Sequence, residues 1–529
     1  MSGLYPRVFS IVACLAYSAI LPLWEGFDEP FHYGYTVEIS RLGRIPQLGK
    51  SMLSEEIWNS MQLAPASHIV VRNIPQLIAF DVFQRWPQQE RDRVRERLVC
   101  LDPALGAVLS DSPNYEAHHP PLGYLLLALP DRLLAQYPIL TRIWILRSLL
   151  GLIGVCVLHF GIARLARSVG LPQPFAEAAF FCMITCQMTL AAFSHISNDY
   201  IAVSLYFVLT AQMLEYSKSP TLRGALSVGM VLGLGLLSKA YFLALMVPVF
   251  IVVGISPASP ALVAMKLGCA GIGVAALAGP WYLRNQFLYG NLSGMVEAAR
   301  GVSLRDLLVA VPQVPWVDSI QYFIHAMVWT GNNSFLAFSR ATIDTFLTLL
   351  AIGVLATLVR FRRITMIWPI ALQSAFFVAA LLYATVQSYV FTNGASHGPS
   401  PWYGTPLLIT MIFVAFTGFS LSGQWGRLCS RLMIGLSLYM FWSTFWVKLL
   451  PLYGGLYGRK VTLAVLVDWY TSPQWWKILA TTAPRPVAVG LALVCAATLW
   501  ATFNGVKLIW GIVPESETKN VMQAQAGTG

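Results

Sequence analysis

The sequence predicts an all-α polytopic membrane protein of about twelve transmembrane helices. Its 529 residues are 56% hydrophobic and only 11% charged, whereas a soluble domain carries about 25% charged residues. Many apolar runs approach the roughly 20 residues that cross about 30 Å of hydrocarbon. The period-two alternation of a porin-like barrel is absent. The net charge of +11 is no sign of a nucleic-acid partner, because excess Lys and Arg in such a chain gathers in cytoplasmic loops. Of eight cysteines, only Cys100 lies in a polar stretch, and no CxxC spacing occurs. Neither a disulfide framework nor a zinc knuckle is expected.

The first apolar run covers residues 8–23 and is followed by Trp24-Glu25-Gly26-Phe27-Asp28-Glu29-Pro30-Phe31-His32-Tyr33. No small-residue cleavage site follows the run, so it is read as a retained helix. Glu29 precedes a proline and is biased away from helix. Pro30 suits a first helical position, so a second helix is expected over 30–42. Asp28 and Glu29 then lie at a sharp turn, with His32 one turn on. Ionisable groups at a helix mouth belong in the interface or in a water-filled cavity. A carboxylate there can act as a general base, bind a metal, or cap the helix that follows.

A long non-spanning region, 25–141, comes next. Residues 84–101 mix charges of both signs and read as a solvated helix. The region closes on Asn114-Tyr115-Glu116-Ala117-His118-His119-Pro120-Pro121-Leu122-Gly123-Tyr124. Residues 122–137 are apolar but carry Pro130, Asp131 and Arg132, and could either cross or lie in the interface. Loop charge decides. If they do not cross, the helices are 8–24, 142–166, 175–195, 200–216, 222–238, 240–255, 261–282, 341–359, 364–390, 402–421, 428–449 and 486–511. With the N-terminus inside, cytoplasmic loops then hold Arg7, Arg164, Arg167, Lys218, Arg223, Arg360, Arg362, Arg363, Arg427 and Arg431. Were 122–137 to cross, the Arg360-Phe361-Arg362-Arg363 cluster would face outward, against the positive-inside rule. Both termini are therefore expected to be cytoplasmic, with a disordered tail over 514–529.

This topology gathers the unusual polar residues on the outer face: Asp28, Glu29 and His32; Glu116, His118 and His119; His195, Asn198 and Asp199; Lys239; Arg284; and the 393–403 loop. The outer loop 451–485 adds an aromatic group, Trp469, Tyr470, Trp475 and Trp476, of interface-belt type. Each has a plain structural alternative. Asp28 and Asn198 could cap helices, Lys239 could snorkel to the interface, and Arg284 could be an interfacial anchor. The histidine spacings match no dedicated zinc motif.

In type and order these motifs resemble the GT-C superfamily of integral membrane glycosyltransferases. An acidic pair, Asp28-Glu29, directly follows the first helix. His118-His119-Pro120-Pro121-Leu122-Gly123 resembles the His-Pro-Pro-Leu-Gly motif of protein O-mannosyltransferases and the Glu-x-Pro-Pro-Leu motif of aminoarabinose transferase relatives. Asn198-Asp199 is similar to acidic pairs of oligosaccharyltransferase catalytic subunits. Gly279 to Asn291 resembles a segment of bacterial relatives that also carry Asp-Glu-Pro-x-His.

The resemblance implies transfer of a sugar from a polyprenyl-phosphate donor to an extracytoplasmic glycan, lipid or protein acceptor. It implies a catalytic module over 1–300, with 25–141 as its first extracytoplasmic loop, and a variable module over 301–513. Asp28 would be the general base, with Glu29 second. His32, Glu116, His118, His119, Asn198, Asp199, Lys239, Arg284 and Tyr403 would contact substrate, and Lys239 or Arg284 would hold the carrier phosphate. Some members use a divalent ion; Asp28, His118 and Asp199 are the ligand candidates here. The short loops point to a bacterial inner membrane with the site facing the periplasm. One departure is clear. Where relatives carry Gly-Arg-Tyr, this chain has Ser400-Pro401-Trp402-Tyr403, so the role of that arginine has no carrier. A transporter or flippase of a lipid-linked substrate, or a catalytically silent assembly subunit, is the competing reading. Convergence of Asp28, Asp199 and Lys239 on one outward site would favour the enzyme.

Overall fold

The computed structural model describes residues 4–255, 257–295, 302–330, 332–334, 338–360, 367–396 and 398–512. The expected tail over 514–529 and the basic residues Arg362 and Arg363 lie outside the described residues. The architecture is almost entirely helical and polytopic, as its composition requires. Helix α1 (Leu4–Ile20) ends four residues before the expected boundary. The chain then turns sharply through residues 21–28, where Trp24 and Asp28 adopt left-handed backbone angles, φ 64° and 52°. Helix α2 (Glu29–Leu42) starts with Pro30 in its first turn and stops at Gly43. That glycine is left-handed and donates its N–H to the Ile39 carbonyl, which closes the helix end.

Residues 52–113 fold into short pieces: β1 (Met52–Ser54), α3 (Glu55–Leu63), β2 (Pro65–Ala66), α4 (His68–Asn73), β3 (Ile78–Ala79), α5 (Phe80–Arg85), α6 (Gln88–Val99) and β4 (Leu109–Pro113). β1 pairs antiparallel with β4, Met52 opposite Pro113. β2 pairs parallel with β3, Pro65 opposite Ile78. Ser54 and Ser67 cap α3 and α4 by accepting the N–H groups of Ile57 and Val70. The mixed-charge stretch forms α6, which buries only Arg91 and Leu98.

Helix α7 (Leu122–Leu133) has 12 residues, about 18 Å of rise, too short to cross. Leu125, Leu126, Leu129 and Leu133 are exposed while Asp131 is buried. This is the pattern of a helix lying in the interface. Helix α8 (Ile139–Val169) follows. The single helix expected over 175–195 is instead two, α9 (Gln173–Thr185) and α10 (Gln187–Ala192), broken at an extended Cys186. The break is held from outside. Gln187 donates to the Tyr17 hydroxyl at 2.6 Å and accepts the Thr330 N–H at 2.9 Å. Irregular backbone at membrane depth is tolerated where protein surrounds it in this way.

Helices α11 (Asp199–Lys218), α12 (Leu222–Leu236), α13 (Phe242–Gly254) and α14 (Pro260–Tyr289) come next. The later expected spans appear as Arg340–Val359, Trp368–Phe391, Thr405–Ser420, Gly423–Ser443 and Val487–Gly511. Among the described residues, seven helices are long and apolar enough to cross a membrane, and α1, α12 and α13 are shorter apolar helices. α11 is buried along nearly its whole length and forms the centre against which α8 and α12 pack. The aromatic group of 469–476 is interlocked rather than spread as a belt: the Trp469 ring meets Tyr470 edge-to-face with centres 4.6 Å apart and lies tilted against Trp475 at 5.1 Å, and its indole N–H donates to the Gly454 carbonyl.

A buried ionic network ties α2, α3 and α7 to α8. Arg142, near the start of α8, pairs with Glu56 of α3 and Asp131 of α7, all three fully buried at the side chain. Tyr33 and Ser40 of α2 donate to the same Asp131 carboxylate at 2.7 and 2.5 Å. Such groups are tolerated in a low dielectric only when each has several partners.

Candidate active site

The turn between α1 and α2 has two faces. One carries Gly26 and Phe27. The Phe27 ring stacks on Trp402 at 4.2 Å, and a Cβ on Gly26 would lie 2.4 Å from the His195 Cβ. Only glycine permits this approach of the turn to the segment between α10 and α11. The other face carries Trp24 and Asp28. It opens on a cavity of about 490 Å³. The Asn333 amide fastens the turn by donating to the carbonyls of Trp24 and Gly26.

Asp28 stands at the N-cap of α2, yet its side chain makes no capping hydrogen bond. Its carboxylate accepts the Tyr115 hydroxyl at 2.6 Å instead and lines the cavity. Burial, then the nearby Glu116 carboxylate, push the Asp28 carboxyl up to about 7, against the opposing pull of Tyr115 and Lys239. A non-glycine residue held left-handed is uncommon, and such strain clusters at functional sites.

Glu29 turns the other way. It is fully buried and takes a bidentate pair from Arg147 of α8, Nε to Oε1 at 2.7 Å and Nη2 to Oε2 at 2.5 Å. It also accepts the Ile196 N–H at 2.9 Å. Arg147 further donates to the carbonyls of Leu21 and Pro22 at 2.7 and 2.9 Å. One guanidinium thus satisfies the free C-terminal carbonyls near α1 and neutralises the carboxylate that starts α2. The sequence reading missed Arg147 and Arg142. The available signal was two arginines five residues apart at the start of an apolar span, since intramembrane charge marks a functional or structural partner.

The His-His-Pro-Pro corner is built by the turn into α7. The Leu122 N–H donates to the Leu237 carbonyl at 2.9 Å, and the Tyr200 hydroxyl to the Gly123 carbonyl at 2.9 Å. These bonds carry the corner onto the α12–α13 turn, where Lys239 sits. Glu116 and His119 are buried, with His119 Nε2 2.5 Å from the Glu116 carboxylate. His32 is 3.8 Å from that carboxylate and stacks on His119 with ring centres 5.6 Å apart. Its Nδ1 lies 2.8 Å from the Tyr124 hydroxyl. Burial, followed by the charges of His119 and Lys239, lowers the His32 pKa well below its usual value, so His32 is neutral. His118 points elsewhere, its Nδ1 2.7 Å from the Tyr115 carbonyl.

His32, Glu116 and His119 offer donor atoms within 4.8 Å of one another. Two imidazole nitrogens and a carboxylate oxygen suit a borderline divalent ion with an open fourth position. Among the described residues the ligand set expected from the sequence, Asp28, His118 and Asp199, forms no such group.

Lys239 pairs with Asp199, both side chains nearly fully buried, and its ammonium lies 4.6 Å from the centre of the Tyr403 ring. Asn198, the N-cap of α11, makes no capping bond. Both polar atoms of its buried amide lack a hydrogen-bond partner among the described residues. His195 Nδ1 donates to the Ala191 carbonyl at 2.5 Å, which leaves Nε2 as a buried acceptor, also without a partner there. Asp28, Glu116, Asp199 and Lys239 are close enough to act on one another electrostatically. Arg284 does not join them. Its guanidinium donates to the Pro46 carbonyl at 2.7 Å and stacks on Trp281, fastening the loop after α2. Tyr289 of the same motif accepts the Leu48 N–H at 3.0 Å.

The sequence matches no known family profile and no curated protein. In fold the chain is similar to two crystal structures of ArnT from Cupriavidus metallidurans. One is bound to undecaprenyl phosphate, at 12% identity over 96% of this chain and 75% of that one, with a TM-score of 0.43. The other is in the apo state, at 12% identity over 85% and 74%, with a TM-score of 0.39. The roles of the site residues are therefore read from this chain alone.

Proposed function

We propose that the protein is a glycosyltransferase that moves a sugar from a polyprenyl-phosphate donor to a hydroxyl acceptor at the outer membrane surface. The observation that supports it best is the placement of Asp28. This carboxylate, unused as a cap and with a pKa near neutrality, lines an open cavity and lies within electrostatic reach of the Lys239–Asp199 pair. A general base works best when its pKa lies near the working pH.

In this mechanism Asp28 takes the proton of the acceptor hydroxyl as the oxygen attacks the anomeric carbon. The bond from that carbon to the carrier phosphate breaks, and the phosphate leaves with the electron pair. Lys239 stabilises the developing anion, and Asp199 holds the ammonium in place until donor arrives. Asn198 and His195 supply buried polar atoms for the donor, and Tyr403 covers the ammonium. Glu29 positions the turn through Arg147 rather than touching substrate. A divalent ion at His32, Glu116 and His119 would add Lewis acidity beside the base; these residues otherwise orient one another. Residues 1–300 form the catalytic module in this reading. The protein would sit in a bacterial inner membrane with both termini cytoplasmic and the site periplasmic.

A silent assembly subunit is favoured by two observations: Lys239 is already paired with Asp199, and the Gly-Arg-Tyr arginine is absent. The deciding test is sugar transfer by purified protein from radiolabelled polyprenyl-phosphate sugars, comparing wild type with Asp28→Asn. Transfer by wild type and its loss in the folded variant supports the enzyme and the base. Equal transfer by both removes Asp28 from the chemistry.

A further inference from the structure

We propose that the cavity beside Asp28 is the acceptor site and that the acceptor offers its hydroxyl from an apolar, lipid-like body rather than from a sugar. This rests on the reading of Asp28 as base. The walls of the cavity are Trp24, Phe31, Met61, Val70, Ile74 and Leu77, widened by small residues such as Ala64 and Ala66. Its polar side chains are few: besides Asp28 they are Asn73, Ser112, Tyr115 and Asn333, and the last two are engaged. The Asn333 amide donates to the turn carbonyls, and the Tyr115 hydroxyl donates to Asp28. Among the described residues, Asp28 is the one charged group that lines it.

A polyhydroxylated acceptor would lose water from each hydroxyl on entry and find few partners, a cost borne by every unpaired group. An apolar body gains on entry in proportion to its buried surface. Its single hydroxyl would meet the Asp28 carboxylate, the group able to take its proton. Pockets of this kind, apolar with few convergent polar groups, are the usual form of a small-molecule site.

The cavity does not suit the donor's carrier chain. Its lining comes from the turn before α2 and the first residues of α2, from α3, β2, α4, the loop before β3 and residues 112–115, with Asn333 beside the turn. The membrane-crossing helices do not form its walls. The phosphate-binding candidate Lys239 contacts Tyr403, next to the Trp402 that stacks on Phe27, so it belongs to the opposite face of the 24–28 turn. Acceptor and donor would thus approach Asp28 from two sides.

The test is photolabelling of the full-length protein in lipid nanodiscs with a diazirine-bearing decanol, read by peptide mass spectrometry. The peptide holding residues 61–77 should be labelled, relative to the lipid-facing helix Arg340–Val359 as reference. Unlabelled decanol should displace the label and methyl glucoside should not. Ala66→Phe, which fills the space, should lower the label at least about tenfold, the worth of roughly two buried methylene groups. Val70→Thr, nearly the same shape but polar, should lower it by a smaller factor and guards against misfolding of the first variant.

Equal displacement by methyl glucoside would overturn the inference. So would displacement by undecaprenyl phosphate, which would give the cavity to the carrier chain, or equal labelling of wild type and both variants. Asp28→Asn separates the two claims. Transfer that persists in that variant sinks the base but leaves the labelling pattern intact, whereas a failed acceptor site shows in the labelling alone.

Discussion

Glu29→Gln should destabilise the protein far more than a change of one oxygen to nitrogen would at the surface. Glu29 and Arg147 are fully buried at their side chains. The carboxylate accepts two charge-assisted bonds from the guanidinium and one from the Ile196 N–H. The amide retains one acceptor oxygen and sets an N–H₂ against an Arg147 donor. At least one bond worth about 1.5–3 kcal/mol is lost, and the arginine charge is left without a counter-ion. Removing one partner of a buried pair costs about 3–5 kcal/mol in all. Melting of detergent-purified protein, followed by intrinsic fluorescence, should show a clear drop for Glu29→Gln and for Arg147→Leu. The double variant Glu29→Leu/Arg147→Leu should recover part of the loss, because no charge is then stranded. Recovery should be incomplete, since the Leu21 and Pro22 carbonyls lose their donor in both cases. A Glu29→Gln protein that melts like wild type, or a double variant no better than the worse single one, would refute this account of the turn.

Further outcomes follow from the same geometry. Asp28→Asn should lower transfer by about 10²–10⁴-fold, the usual worth of a positioned base, with melting close to wild type because no capping bond is lost. Wild-type transfer should rise with pH through about 7, where the Asp28 carboxyl ionises, and a profile flat through that range would exclude it as base. The stability contribution of Asp28 has the opposite sense: with its folded pKa raised from 3.8 to about 7, it is full below pH 3.8 and is lost as pH rises to about 7. Gly26→Ala, whose Cβ would meet His195 at 2.4 Å, should displace the turn and cost transfer and melting temperature together, while Gly43→Ala, with nothing near its Cβ, should touch stability alone. Lys239→Met should strand the buried Asp199 carboxylate and lower stability, and Lys239→Met/Asp199→Leu should regain stability without regaining donor binding, measured by the KM for donor.

What could be read before the structure was known divides along the range of the interactions involved. The spans follow from apolar length, and the interfacial placement of α7 follows from loop charge, because both are local or additive properties. The turn at Asp28 and Glu29 was likewise visible through Pro30. What each carboxylate does was not. They are neighbours in sequence, and the left-handed backbone at Asp28 sends one to Tyr115 and the other to an arginine 118 residues away. No local pattern encodes that choice. The same holds for His32 meeting Glu116 and His119, and for Gln187 breaking a helix through Tyr17 and Thr330. The apolar cavity is the extreme case. Part of its wall runs through a two-residue strand and a six-residue helix, too short for any periodicity to appear, and the remainder comes from the 24–31 turn, the end of α3, Leu77, residues 112–115 and Asn333. A cavity assembled from such fragments becomes visible only once α2 and the 52–113 segment are packed together, because its apolar character belongs to the assembled surface and to none of the segments alone.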